Sequence, residues 1–311
     1  HFSKADPAAV RASLGEERGR RLLECVASGG DKVFETARSL AIDCDAAQTG
    51  WLQPAHSDNA AEMLRARAEL WRGLGRPVRF LSAGEIADQT SMTRYRGALL
   101  DASGGTIHPL SYAFGLARAA SDKSAMIFEG ARVDAIERVP NRWRLQSGAR
   151  SVIADKILLC TNATTAGVAR KLAATIVPLQ VYQIATAPLA PEIVRRIAPA
   201  RRPVSDTRGN IFTYRLDRDD RLISGGMAMI PIMAHRRMAR MIVERLAVEL
   251  KLPSIPDVDF VWRGTAAMTP DFLPHIYEFG PGFFGGVGCN GRGVAMTAVL
   301  GEQLAHAALG A

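Results

Sequence analysis

A glycine-rich stretch near the C-terminus, residues 285–309, constrains the fold of this 311-residue chain more than any other feature. Gly286, Gly288 and Gly291 have the G-x-G-x-x-G spacing of a strand that turns tightly into a helix. An apolar segment, 281–287, precedes the turn, and apolar residues at helical spacing follow it. The sequence therefore predicts a strand, a tight turn and a helix that runs almost to the last residue. Together these three elements form part of an α/β unit.

The same spacing does not predict a complete dinucleotide site. In such a site the helix is followed by a second strand, whose acidic residue binds the ribose. Here only Gly310 and Ala311 follow Leu309. We therefore expect the helix N-terminus to offer its N–H groups and partial positive charge to one anionic or electron-rich group. The alternative is a strand-to-helix connection that binds no ligand.

Composition and charge exclude several classes of protein. The chain is 48% hydrophobic and 23% charged, which is typical of a globular protein. No apolar run approaches the roughly 18 residues of a membrane-spanning helix, so no membrane partner is predicted. The formal charge of +8 comes from arginines scattered along predicted helices, which does not favour a nucleic-acid surface. Four widely spaced cysteines without a C-x-x-C pair predict neither a disulfide framework nor a metal site, and they favour a reducing, cytoplasmic location.

Hydrophobic periodicity predicts helices towards both ends of the chain and antiparallel strands in the middle. Helices are expected over 7–42 with a break at Gly29-Gly30, over 57–74, from 109, over 232–250 and over 294–309, and strands over 49–55, 78–81, 126–129, 132–138, 143–147, 154–162, 177–189, 204–216, 221–226 and 258–266. Ser82 and Glu85 have the spacing of a capping box. Run 154–162 ends in small polar residues, as buried parallel strands do where a ligand binds. The order predicts a mixed α/β (α+β) fold, in which a nucleotide-binding domain is interrupted by a sheet-based domain.

Six segments spread along the chain carry a resemblance to a known family. They are Thr49-Gly-Trp-Leu52, Gly104-Gly-Thr-Ile-His-Pro109, Leu159-Cys-Thr-Asn-Ala163, Ser205-Asp-Thr-Arg208 with Tyr214-Arg-Leu216 and Gly225-Gly226, Trp262-Arg-Gly-Thr-Ala-Ala-Met-Thr-Pro-Asp-Phe-Leu-Pro274, and Gly285-Gly-Val-Gly-Cys-Asn-Gly-Arg-Gly-Val-Ala295. Together they resemble FAD-dependent oxidoreductases of the D-amino-acid oxidase class, most closely the gamma-glutamylputrescine oxidase branch. The resemblance covers essentially the whole chain.

The resemblance implies a Rossmann-like FAD/NAD(P)-binding domain with an inserted antiparallel-sheet substrate domain. The FAD-binding domain would comprise residues 1–48, 98–175 and 262–311, and the substrate-binding domain residues 49–97 and 176–261. Members of the family begin with a βαβ segment that binds the ADP part of FAD, and the residues from His1 resemble the point just after it. We therefore expect the Rossmann-like domain to be N-terminally incomplete, and the chain by itself to bind FAD weakly or not at all.

The resemblance also implies a set of residues that bind FAD without a covalent bond. They are Val133 near the adenine, Thr161 and Asn162 near the ADP moiety, and Gly286, Gly288, Asn290, Gly291, Arg292, Gly293 and Val294 near the flavin ring. Arg292 would place a cation beside the reduced flavin, or else be an exposed surface residue. For Val133 and Thr161 the alternative is a purely structural strand. Gly264 occupies the position of the cysteine in members with covalent flavin, which is why non-covalent FAD is expected.

Tyr214, Arg215 and Trp51 are the candidate substrate-binding residues. An arginine on the antiparallel sheet can bind a substrate carboxylate with two hydrogen bonds, and aromatic rings can pack against the carbon chain of an amine. The alternative for Arg215 is an ion pair with a neighbouring acid such as Asp217. No catalytic base and no metal ligand is assigned.

The function implied by the resemblance is FAD-dependent oxidation of an amine or amino acid. Hydride would move from the carbon that bears the amine to the flavin, which gives an imine. One alternative is a flavin dehydrogenase that passes its electrons to a carrier rather than to oxygen. Another is a cofactor-free, non-catalytic fragment of such an enzyme. The predicted partner is a small-molecule amine or amino acid, and no oligomeric state is predicted.

Overall fold

The computed structural model describes residues 6–164, 167, 169–228 and 232–310. Residues 1–5, which belong to the stretch that resembles the point just after the βαβ segment of the family, lie outside the described residues. The chain divides into two compact units, each assembled from separate segments. Unit 1 comprises His1–Leu40, Ala113–Leu179 and Thr265–Ala311, and unit 2 comprises Ala41–Tyr112 and Gln180–Gly264. These boundaries differ from those of the predicted domains mainly at residues 98–112, which belong to unit 2.

The elements follow one another along the chain in a mixed order of helices and strands. They are α1 (Pro7–Leu14), α2 (Glu16–Ala27), α3 (Gly29–Ser39), β1 (Trp51–Pro54), α4 (Asp58–Gly73), β2 (Val78–Leu81), α5 (Ala83–Thr90), β3 (Ala98–Asp101), α6 (Pro109–Asp122), β4 (Ala135–Val139), β5 (Arg142–Ser147), β6 (Arg150–Ala154), β7 (Ile157–Leu159), α7 (Arg170–Ala173), β8 (Val177–Pro188), α8 (Pro191–Ile197), β9 (Val204–Ser205), β10 (Thr213–Leu216), β11 (Arg221–Met227), α9 (Ala234–Glu249), β12 (Val258–Met268), β13 (His275–Gly280), β14 (Phe283–Val287) and α10 (Gly293–Leu309). The mixed α/β prediction is confirmed.

Unit 1 combines helices with two small sheets. In one sheet β14 is antiparallel to β13 and parallel to β7, and in the other β4, β5 and β6 form an antiparallel meander. Helix α10 packs against α3 and β14. Gly29 makes the α3 contact possible, because a Cβ at this position would lie 2.6 Å from the Ala295 carbonyl oxygen. The two helices are also joined by an ion pair of 2.7 Å between Lys32 and Glu302.

Three predictions for unit 1 need correction. The strand expected over 126–129 does not form, and its apolar side chains are exposed. The run predicted as a buried strand over 154–162 contains only the three-residue β7, in which Leu158 is 40% exposed. The N-terminal helical region breaks at Gly15, with a φ of 81°, and at Ser28, whereas Gly29 and Gly30, where the break was expected, are the first two residues of α3. Apolar sequence alone does not make a strand, since a strand also needs a hydrogen-bonded neighbour.

Unit 2 is built on an eight-stranded sheet. Its strand order is β12-β8-β11-β10-β9-β1-β3-β2, with β1 parallel to β9 and antiparallel to β3. One face of this sheet is buried: side chains from β1, β9, β10 and β11 form a core with residues of α5, α8 and α9. That core includes Leu52, Ile86, Ile197, Val204, Tyr214, Leu222 and Leu246. The range 204–216, predicted as one strand, is two strands separated by a loop.

The capping box predicted at the start of α5 is confirmed. The Ser82 N–H donates to Glu85 Oε2 over 2.8 Å, and the Glu85 N–H donates to Ser82 Oγ over 3.3 Å. Arg79 also binds the Glu85 carboxylate, at 2.8 Å. The Ser82 N–H, followed by Arg79, lowers the pKa of Glu85 from 4.5 to about 2.

Replacing Glu85 with glutamine is expected to destabilise the protein near pH 7 and to matter progressively less as the medium becomes acidic. The folded-state pKa of Glu85 is depressed, so its stabilising effect is complete above pH 4.5 and is lost as the pH falls towards about 2. Urea unfolding of both proteins across this range measures the difference. Glu62, an exposed residue of α4, gives the control Glu62→Gln, whose small effect should not depend on pH in this way. A Glu85→Gln difference that is constant with pH would contradict the capping role.

The described residues include no helix that is both long and apolar enough to cross a membrane. They also include no cluster of three or more His, Cys, Asp or Glu side chains that could hold a metal ion. Cys25, Cys44, Cys160 and Cys289 are free thiols.

Candidate functional site

The N-terminus of α10 is open. The helix begins at Gly293 with Arg292 at the N-cap position, and no side chain in the described part of the chain caps it. The first N–H groups of a helix have no partner within the helix, so those of Gly293 and Val294 can donate to a ligand. Val294 is exposed, and a Cβ at Gly291 or Gly293 would meet no atom within 4 Å. This helix end therefore offers N–H donors and partial positive charge at an accessible surface.

Two of the predicted glycines have structural reasons to be glycine. Gly288 has a φ of +93°, and a Cβ there would lie 2.3 Å from the Leu273 carbonyl oxygen. A Cβ at Gly286 would lie 3.0 Å from a methyl carbon of Leu304, so this glycine allows α10 to pack closely on β14. The turn thus has its tight geometry whether or not a ligand is bound.

Asn290 fixes this turn with its side chain. It is buried, has a φ of +49°, and its Oδ1 accepts a hydrogen bond of 2.8 Å from the Thr269 N–H. Its Nδ2 donates to the Gly288 carbonyl over 2.9 Å. The side chain therefore joins the turn to the loop that begins at Thr269, a residue that the sequence analysis missed although it belongs to the Thr-Pro-Asp part of the quoted motif. Asn290 thus holds the backbone of the glycine turn in its observed conformation.

Thr161 and Asn162 lie at the end of β7, next to the glycine turn. Asn162 Oδ1 is 3.8 Å from the Sγ atom of Cys289. The Thr161 hydroxyl is buried, and among the described residues it has no hydrogen-bond partner. A buried hydroxyl without a partner is rare, and a ligand or water at this position would complete its hydrogen bonding. Val133, by contrast, is half-buried in an irregular stretch before β4 rather than in the predicted strand.

These features fit the flavin that the sequence implies. The open end of α10 supplies donors, Gly288 and Asn290 hold the turn, and the Thr161 hydroxyl is available for a hydrogen bond. Such preorganised donors stabilise negative charge where it develops on a ligand.

Tyr214 has a structural position that argues against contact with substrate. It is 1% exposed and lies in the unit 2 core. Its hydroxyl donates to the Ile197 carbonyl over 2.8 Å, so its hydrogen-bonding capacity is used within that core. We therefore leave Tyr214 out of the proposed substrate site. The physical reason is the alternation of side chains along β10, which buries this residue and turns its neighbour to the other face.

Arg215 and Trp51 share that other face of the sheet. Leu52, Val204 and Tyr214 are cross-strand neighbours on the buried face of the sheet. In the same register Trp51 and Arg215 both lie beside position 203. Because side chains alternate along a strand, Trp51 and Arg215 lie on the opposite face. Two strand spacings, about 10 Å, separate them. Both side chains are half-buried. The structure thus brings together two of the three predicted substrate residues.

The Arg215 guanidinium has no ion-pair or hydrogen-bond partner among the described residues. Asp217, the alternative partner, instead accepts hydrogen bonds of 2.9 Å from the N–H groups of Asp219 and Arg221. Burial lowers the pKa of Arg215, against the opposing effect of Asp217 and Asp45. A half-buried cation without a partner is costly, and a carboxylate ligand would offset that cost.

Sequence reasoning missed two further polar residues on this face. Gln53 lies two positions after Trp51 on β1, and Thr213 lies two positions before Arg215 on β10. The Thr213 hydroxyl donates to the Val204 carbonyl over 2.8 Å. The Gln53 side chain is half-buried. Side chains two positions apart on a strand lie on the same face, so the positions of Trp51 and Arg215 could have indicated Gln53 and Thr213.

Comparison with known proteins identifies the family of this chain. The family model described as "FAD dependent oxidoreductase" (DAO) matches residues 3–307. Gamma-glutamylputrescine oxidoreductase of Escherichia coli K12 is 28% identical over 300 residues, which is 96% of this chain and 70% of that protein. Glycine oxidase of Geobacillus kaustophilus is 24% identical over 278 residues, 85% of this chain and 70% of that protein.

Solved structures show the same fold. The crystal structure of glycine oxidase from Geobacillus kaustophilus superposes with a TM-score of 0.74 at 16% identity, over 98% of this chain and 80% of that one. L-proline dehydrogenase from P. horikoshii superposes with a TM-score of 0.77 at 15% identity, over 91% and 78%. The resemblance inferred from the six sequence segments is confirmed, and the chain belongs to the DAO family of FAD-dependent oxidoreductases.

Proposed function

We propose that this chain oxidises the C–N bond of an amine or amino acid that carries a carboxylate. The observation that carries the proposal is Arg215, a half-buried guanidinium without a partner among the described residues, on the same sheet face as Trp51. The names of the relatives, gamma-glutamylputrescine oxidoreductase and glycine oxidase, support the same class of substrate.

Unit 1 would hold the cofactor without a covalent bond. The N–H groups of Gly293 and Val294 would donate to the flavin, and Thr161 and Asn162 would contact the remainder of FAD. Arg292, at the N-cap of α10, would add positive charge there. FAD, when bound, supplies the acceptor for the two electrons that leave the C–N bond. Val133 remains a proposal that rests on the sequence resemblance alone.

Unit 2 would bind the substrate on the half-buried face of its sheet. Arg215 would hold the carboxylate with two parallel hydrogen bonds, which fixes the orientation of the substrate as well as its position. Trp51 would pack against the carbon chain and exclude water from it. An amine that binds in its neutral form needs no protein base for this step, and no side chain is assigned as one. The free cysteines support a cytoplasmic location for this chemistry.

Because FAD binding by this chain alone is expected to be weak, the test supplies FAD in saturating excess. The FAD-saturated chain should oxidise such a substrate, and Arg215→Gln should impair the oxidation selectively. Loss of a hydrogen-bonded charge weakens binding by about tenfold to a hundredfold, so KM for an amino acid should rise by this factor. The FAD affinity, measured by flavin fluorescence, should not change. Bleaching of the flavin absorption without oxygen measures the reaction, and peroxide release in air shows whether oxygen or a carrier takes the electrons.

Two controls sharpen this test. Arg195→Gln removes an exposed arginine from α8 in the same unit, and should leave KM unchanged. An amine of equal length without a carboxylate should be oxidised equally by the parent protein and by Arg215→Gln. If no amine or amino acid reduces the bound flavin, the proposed function is excluded.

A further inference from the structure

A cavity of about 300 Å³ lies within unit 1, outside the sites described above. Its walls are formed by Trp143, Phe279 and Phe283, and Arg170 and Lys171 of α7 lie at its margin. We propose that this cavity binds a small apolar monocarboxylate. The apolar chain would lie against the aromatic walls and the carboxylate would lie beside the two cations.

The walls present apolar surface. The only polar atom of the Trp143 side chain, Nε1, already donates to the Pro281 carbonyl over 3.0 Å. Trp143 meets Phe283 edge to face at 5.2 Å between ring centroids, and Phe279 contacts Phe283 at the same distance. Leu159 and Leu172 complete the lining. An apolar ligand body would therefore replace water without the loss of a hydrogen bond.

The rings are fixed in place by the strands behind them. A Cβ at Gly280 would lie 3.1 Å from the indole of Trp143, and a Cβ at Gly285 would lie 2.9 Å from Phe279. Both rings therefore pack directly on backbone. A preformed cavity has little side-chain entropy to lose when a ligand binds.

The charge around the cavity favours an anion. Arg170 and Lys171 are exposed, and neither side chain makes an ion pair or hydrogen bond with any described residue. Arg138 does not line the cavity, but its guanidinium lies 4.8 Å from the centroid of the Trp143 ring. No acidic side chain is among the described residues that line the cavity. A carboxylate at the margin would be attracted by this positive field.

The volume limits the size of the ligand. It falls at the lower end of the range for small-molecule sites, roughly 300–1,000 Å³, which admits a medium-length carboxylate but not a dinucleotide. The proposed ligand class is thus distinct from both FAD and the proposed amine substrate, because it requires neither an amine nor a ring system.

Octanoate and 1-octanol are suitable probes, since they share a chain and differ in charge. Isothermal titration calorimetry of the full chain, without added FAD, is expected to show octanoate binding about tenfold or more tightly than octanol. The double variant Arg170→Gln, Lys171→Gln should weaken octanoate binding by about tenfold or more and leave octanol binding unchanged. Octanoate should also change the fluorescence of Trp143, and Trp143→Phe should abolish that change.

Two further variants complete the test. Arg118→Gln with Lys123→Gln removes the same charge from exposed positions in and just after α6, and should leave octanoate binding unchanged. Ala169→Phe fills the cavity and should abolish binding of both probes while circular dichroism shows a native spectrum. Equal affinity for octanoate and octanol, no binding at all, or an unaffected Arg170→Gln, Lys171→Gln variant would each overturn the proposal.

Discussion

Replacement of Asp206 with alanine is expected to lower the free energy of unfolding by about 3 kcal/mol. The Asp206 side chain is 0% exposed, and its carboxylate forms an ion pair with Arg208. It also accepts hydrogen bonds from the Tyr95 hydroxyl at 2.9 Å and the Phe212 N–H at 2.8 Å. Alanine would leave these buried donors without an acceptor. The loss is expected at the lower end of the range for broken buried pairs, because Arg208 keeps Glu249 at 2.7 Å.

Urea unfolding of the variant measures this loss. Asp88→Ala, at an exposed position of α5 in the same unit, removes the same charge and is expected to change the stability by no more than about 0.5 kcal/mol. The double variant Asp206→Ala, Tyr95→Phe should be destabilised by less than the sum of the two single variants, since the two residues share a hydrogen bond. Additive losses would show that the two groups do not interact in solution.

Replacement of Gly288 with alanine is expected to cost about 2–4 kcal/mol, because it combines two unfavourable effects. The φ of +93° strains any residue with a side chain, and the new Cβ would lie 2.3 Å from the Leu273 carbonyl oxygen. The Leu273 backbone would have to move, and with it the turn that Asn290 holds. Thermal or urea unfolding measures the loss, and flavin fluorescence measures the accompanying loss of FAD affinity.

Gly291 provides the matched control for this contact. Its φ of +78° is also in the left-handed region, but a Cβ there would meet no atom within 4 Å. Gly291→Ala should therefore show only the conformational cost, about 1–2 kcal/mol. The difference between the two variants isolates the contact with Leu273. If both lose the same stability, the close approach at Gly288 does not contribute.

Much of unit 1 near the glycine motif could be predicted from the sequence. Glycines at Gly286, Gly288 and Gly291 carry local information, because the backbone geometry they permit is nearly independent of the rest of the fold. The strand, the turn and α10 were therefore placed nearly at their observed bounds. The break expected at Gly29-Gly30 lies one residue earlier, at Ser28, and α3 begins at Gly29. Gly29 itself is glycine because α10 approaches too closely for a side chain there.

The substrate face was harder to predict because it depends on strand pairing. Tyr214 and Arg215 are adjacent, and only the register with β9 shows which of them is buried. The cavity near Trp143 depends on residues from β5, α7, β13 and β14, which no local pattern relates to one another. The role of Asp206 was likewise hidden, since its partners Tyr95 and Phe212 become neighbours only in the folded sheet.

The interleaving of the two units has a consequence for how the chain reaches its native state. In unit 2 the pairing of β1 with β9 joins residues about 150 positions apart, and in unit 1 the Lys32–Glu302 ion pair joins residues 270 positions apart. Neither unit can close until nearly all of its distant segments have left the ribosome. Long-range closure of this kind slows folding and prolongs the exposure of apolar strands, so the nascent polypeptide should depend strongly on chaperones.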